Sequence, residues 1–323
     1  MPFHRLRHAV LLATCATSLL LASCGSGTIE SQFTPTRVIA FGDGSADQGQ
    51  TSNAVVTNAR YTVNGDGTVS IWTQQVAASY GVVMTTAALG GTSYATGNAR
   101  VNSKPDAVGS NATPTVKEQI DTFLAGSAPG PNDLMILSAG IADVITEAGK
   151  ITAGTQTSDQ ALLNVRQAGR DLGAQVRRLV LAGAAHVMVA GTYDLSRSPW
   201  GRGATTLTPF LVQASAKFNE ELLLSIVDLG ANVLYSDAAF HYNLMIGVPT
   251  AYGLVNSIAP VCNSIDGGPG IGTGTGQVNS SLCNGTTLAG DHNTYVFADA
   301  VYPTPLAQRK FGDYAYTRIR ARW

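Results

Sequence analysis

The sequence predicts an α/β protein whose mainly parallel sheet is covered by helices on both faces. Three observations predict it. Short apolar runs bounded by glycine or turn residues recur along the chain, as buried strands do. Longer stretches with helical spacing separate them, the alternation of a parallel sheet. Hydrophobic residues make up 45% of the 323 residues, enough to build a substantial core.

The elements follow in order. Residues 37–41 form the first strand. Residues 70–81 (SIWTQQVAASYG) and 116–126 (VKEQIDTFLAG) have helical spacing and end at glycine. Residues 134–138 form the second strand, entered through the turn Pro129-Gly130-Pro131-Asn132-Asp133. A long helix is expected over 158–184, with Arg166, Arg170, Arg177 and Arg178 on a solvated face. Residues 186–190 form a third strand, in which His186 is expected to pack. A helix over 205–229 leads to a fourth strand at 232–235. The last helix starts at Pro303 or Thr304 and runs to about Arg320, with Pro303 and Pro305 suiting its first turn. No internal repeat or second boundary interrupts 37–323, so a single domain is expected. Ligands of such sheets bind beyond the carboxyl ends of the strands, which points to the glycine-rich run after the first one.

Composition removes several functions. Charged residues are only 13% and the net charge is -1, so no basic footprint for nucleic acid exists. The glycine-rich stretch 267–276 (GGPGIGTGTG) lacks the flanking strand and helix of a nucleotide site and reads as a flexible loop. Asn64-Gly65-Asp66-Gly67 reads as a turn. Cys262 and Cys283 lie too far apart, without histidines at ligand spacing, to form a zinc site. In an exported chain they are expected to form a disulfide. No metal and no cofactor is expected.

Arg5 and Arg7 precede an apolar stretch over 9–22, short for a membrane span. Leu21-Ala22-Ser23-Cys24 resembles the lipobox of bacterial lipoproteins. That resemblance implies a signal peptide over 1–23, acylation of Cys24, a polar tether over 24–36 and anchoring in the cell envelope. Gly25, where an aspartate would favour inner-membrane retention, fits the outer membrane. An uncleaved anchor helix is the alternative.

Four separated segments resemble the GDSL (SGNH) family of lipases and esterases, in its secreted lipolytic branch. Phe41-Gly42-Asp43-Gly44-Ser45-Ala46-Asp47 is similar to FGDSLSD, and Gly90 to Ala99 to GGTNYAxGGA. Gly140-Ile141-Ala142-Asp143 is similar to GxND, and Asp299-Ala300-Val301-Tyr302-Pro303-Thr304 to DxxHPT. The resemblance implies a flavodoxin-like, three-layer α/β/α sandwich. It also implies ester hydrolysis by a serine, a histidine base and an aspartate that orients it, with oxyanion donors from backbone and asparagine.

Aligned without a gap, however, the nucleophile position is Gly44, the oxyanion asparagine position is Ala142 and the base position is Tyr302. Asp299 alone survives of the triad. The N–H groups of Gly44 and of the second block, at Gly97 or Asn98, remain as oxyanion donors. Glycine has no nucleophilic atom, and a phenol with a pKa near 10 is a poor base at neutral pH. Three readings stay open. The first is a catalytically degraded member whose cleft, with extra room beside Gly44, binds an acyl ester, a lipid, a glycan ester or a protein partner. The second is an active esterase using Ser45, with His292 as a substitute base. The third is a structural envelope lipoprotein with a vestigial cleft.

Overall fold

Four parallel strands, hydrogen-bonded in sequence order, form the central sheet: β1 (Arg37–Gly42), β2 (Asp133–Ser138), β3 (His186–Ala190) and β4 (Val233–Ser236). The structure, a computed structural model, describes residues 33–50, 53–67 and 69–323. The expected signal peptide, Cys24 and the tether up to residue 32 lie outside the described residues. Runs such as VIAF and LMIL are apolar on both alternations and fully buried, as a sheet covered on both faces requires. Residues 92–96 run along the outer side of β1, where Tyr94 N–H donates to Ala40 and Thr96 N–H to Gly42. This segment lies between β1 and β2 in sequence but outside β1 in space, the strand order of flavodoxin-like folds. The register sets Gly42, Ser138, Ala190 and Ser236 side by side, so the four carboxyl ends form one ledge.

Eight helices are described: α1 (Trp72–Ser79), α2 (Val116–Gly126), α3 (Ile141–Thr152), α4 (Ser158–Leu181), α5 (Pro199–Gly203), α6 (Thr208–Ile226), α7 (Ala238–Gly247) and α8 (Pro305–Arg322). Helices α2, α3, α4 and α6 pack together as one layer, and α1, α7 and α8 as another. The α4–α6 approach is close because Gly169 and Gly173 carry no side chain; a Cβ there would strike Phe218 and Ser225 of α6. Local capping sets the boundaries. Thr115 and Glu118 close a capping box on α2. The Thr304 side chain caps α8, which moves its first residue to Pro305.

The structure departs from several expectations. Helices α3 and α7 and a second pair of parallel strands, β5 (Asn256–Pro260) and β6 (Tyr295–Phe297), were not foreseen. Helix α7, AAFHYNLMIG, is apolar around its whole circumference and so has no amphipathic signature. The α4 arginines are not simply solvated. Arg166 and Arg170 grip Glu221 of α6, Arg177 grips Asp228, and Arg178 grips Asp121 of α2. Phe33, assigned to the tether, stacks on His186 at 3.8 Å between centroids, and Thr36 N–H donates to Asn132. The end of the expected tether therefore packs on the domain. The 267–276 loop is pinned rather than free, because Ile271 is buried in the main core.

Candidate functional site

The ledge of strand ends holds most of the residues that carry chemistry. Gly42, at φ 151°, sits against the Ser138 backbone, where no side chain would fit. The Gln119 side chain pairs with both its N–H (2.8 Å) and its carbonyl (2.9 Å), which fixes the turn that follows. Asp43 is fully buried. Its Oδ1 accepts from the Ser45 N–H (2.9 Å) and Oγ (2.7 Å), and its Oδ2 from the Ile141 N–H (3.1 Å). Burial pushes its pKa up to about 6, which the Ser45 bonds only partly offset.

Gly44 stands under two aromatic rings. A Cβ at this position would lie 2.8 Å from both Cζ and Oη of Tyr302 and 3.0 Å from Cγ of Tyr61. The rings pack on each other with centroids 5.1 Å apart and are almost wholly buried. The extra room expected beside Gly44 is therefore filled, because the phenol reaches into the volume that a side chain at 44 would need. Burial pushes the Tyr302 hydroxyl well above its ordinary pKa, with Asp43 adding to the shift, so it stays protonated.

Asp299 holds no base. Its Oδ1 accepts from the N–H groups of Val301 (2.8 Å) and Tyr302 (2.6 Å), and its Oδ2 from the N–H and Oγ of Ser280. Ser280 lies inside the loop closed by the Cys262–Cys283 disulfide. The carboxylate thus ties that loop to the Tyr302 turn.

A family model described as GDSL-like lipase/acylhydrolase matches residues 38–315. The chain belongs to this family. An uncharacterised protein in the trpE-trpG intergenic region of Pseudomonas putida is 29% identical over 181 residues, covering 54% of this chain and 28% of that protein. Esterase EstA of Pseudomonas aeruginosa is 26% identical over 206 residues, covering 63% of this chain and 29% of its own length. The chain thus aligns with less than a third of the length of these curated relatives. A crystal structure of a lipolytic G-D-S-L family member from Veillonella parvula overlays with a TM-score of 0.40 at 11% identity, over 86% of this chain and 95% of that one. That overlay is too loose to add to the case.

Within the GDSL frame, the remaining positions are also occupied otherwise. Ala142 lies in the first turn of α3, fully buried and without a donor side chain. The Gly97 N–H, expected as an oxyanion donor, is taken by Asp47 Oδ2 at 2.8 Å. Tyr61 covers Gly97, and Asn98 Nδ2 donates to the Tyr61 hydroxyl (3.1 Å). Ser45 Oγ meets Asp43 and Ser138 Oγ (2.9 Å), at the edge of a cavity of about 20 Å³ that no histidine lines. His292 lies 3.8 Å from Asp66 instead. The structure therefore does not bring the expected pair Ser45 and His292 together.

Four features escaped the sequence reading. Tyr61 stands in no motif, yet it caps the site with Tyr302. Ser280 replaces the base as the partner of Asp299. Trp72 and Gln308 line the Ser45 cavity from α1 and α8. Arg100, directly after the second block, is buried between Asp143 (3.0 Å) and Glu147 (3.2 Å). Only Arg100 left a signal, since it adjoins the second family block and its partner Asp143 closes the third.

Proposed function

We propose that this protein is a GDSL-family member that does not hydrolyse esters through the family's triad positions. The observation that carries this reading is the filling of the space above Gly44 by Tyr302 and Tyr61. It removes the nucleophile, and it also removes the volume in which a substrate carbonyl would meet one. Losing a serine or a histidine alone lowers turnover about a millionfold in a well-studied serine protease. Here a protonated, buried phenol replaces the base, and of the two second-block donors the Gly97 N–H is spent on Asp47. One opening at the ledge is the cavity beside Ser45. The ligand class that fits the family, and the esterase relative EstA, is an acyl ester or its carbonyl group. In this reading the chain is exported and lipid-anchored through Cys24. Metabolic labelling with palmitate, lost in Cys24→Ser, tests that part.

The test of the catalytic part is an assay of the purified protein on p-nitrophenyl acetate, butyrate and palmitate. Turnover no faster than buffer, unchanged by Ser45→Ala, is expected. A second reading, hydrolysis by Ser45, is favoured by the 2.7 Å contact of its Oγ with a carboxylate whose pKa is raised to about 6. Turnover that Ser45→Ala abolishes would replace the first reading with the second.

A further inference from the structure

The cavity beside Ser45 carries two buried donors that nothing satisfies. Trp72 and Gln308 both line it, and both are at most 1% exposed. Among the described residues, the Trp72 indole Nε1 and the Gln308 Nε2 have no hydrogen-bond partner. Gln308 is held in place through its other amide atom, since Oε1 accepts from the Trp72 backbone N–H at 3.3 Å. Leaving a buried donor unpaired is costly, and native interiors rarely tolerate two such groups around one cavity. Ser45 and Ser138 bring hydroxyls to the lining, while Ile141 and Phe311 supply apolar surface. An acceptor belongs between these donors.

The size and charge of the cavity narrow its chemistry. Its volume of about 20 Å³ admits one water-sized group. No described lysine, arginine or histidine lines it, and the Asp43 carboxylate stands one hydrogen bond away through Ser45. An anion would enter without a counter-charge and beside a buried carboxylate, which disfavours it. A neutral oxygen meets neither penalty. We infer that this cavity receives one neutral oxygen acceptor, the carbonyl oxygen of a small uncharged ester or amide group, with water there when no ligand is bound. Half-buried Ser45 marks the mouth, so the rest of such a ligand lies outward along the ledge.

The experiment follows the indole protons of the full-length protein by nuclear magnetic resonance. The chain has three tryptophans, Trp72, Trp200 and Trp323, and Trp72→Phe assigns the signal in question. Acetamide is the neutral probe and sodium acetate the charged one, at pH 8 against matched sodium chloride. Acetamide is expected to move the Trp72 indole signal saturably while the other two stay, and acetate is expected to leave it in place. Gln308→Leu is expected to weaken acetamide binding about fivefold, the worth of one hydrogen bond. That variant also frees the Trp72 backbone N–H and so could fold poorly, but the comparison of the two probes on the unaltered protein needs no variant. A saturable response to acetate equal to or stronger than that to acetamide overturns the proposal. So does the absence of any saturable response to acetamide. Acetamide binding does not depend on ester turnover, so this result and the ester assay fail independently.

Discussion

The contact between Gly44 and Tyr302 makes a quantitative prediction that a double-mutant cycle can check. In Gly44→Ser, the new Cβ would sit 2.8 Å from Cζ and Oη of Tyr302, closer than carbon contacts allow. Both rings are buried and packed, so relief must come from displacing them, and overpacking of this kind costs about 1–3 kcal/mol. Tyr302→His alone loses buried ring atoms and leaves a void, a cost of about 2–4 kcal/mol. The imidazole is shorter, however, and lacks the two atoms that obstruct a side chain at 44. Combined, the substitutions should be less destabilising than their sum by about 1–2 kcal/mol. Tyr302→Phe keeps Cζ and loses only the hydroxyl, so its coupling to Gly44→Ser should be smaller. The assay is urea unfolding of the four proteins, followed by tryptophan fluorescence and circular dichroism. Additivity within about 0.5 kcal/mol would refute the reasoning, because residues in the stated contact cannot be independent.

Three more outcomes are expected. Burial raises both Asp43 and Asp47 to about 6, above the unfolded value near 4, so the native state holds more protons in that window. Their contribution to stability is full below pH 4 and is lost as pH rises through 6; Asp43→Asn should shrink that slope in pH-dependent urea midpoints. Replacing Cys262 and Cys283 together by alanine should cost about 3 kcal/mol, since the bridge closes a loop with a sequence separation of 21. Arg100→Met leaves the buried Asp143 without its counter-charge, while Glu147 keeps Lys150, and should cost about 3–5 kcal/mol, read as a fall in the urea midpoint.

Much of the fold was legible because it is written in local pattern. The sheet strands are short apolar runs ended by glycine or turn residues, and α2 runs over the predicted 116–126. Helix α3 was hidden because it starts inside the Gly140–Asp143 block, which read as a motif and not as a first turn. Helix α7 gave no periodicity, with Phe240 and Leu244 exposed and Tyr242 and Met245 buried. Strands β5 and β6 are five and three residues long, too short to stand out.

By itself the sequence determined the family frame, the loss of side chains suited to catalysis at positions 44, 142 and 302, and the cysteine pair able to bridge the loop. These follow from residue identity and spacing along the chain. Only the tertiary structure decided what replaced the lost chemistry. Tyr61 and Tyr302 meet over Gly44, Ser280 takes Asp299, and two residues with unpaired donors, from α1 and α8, line one small cavity. Each of these joins residues far apart in sequence. Side-chain periodicity reports which face of an element is buried, but not which distant group shares the space it leaves.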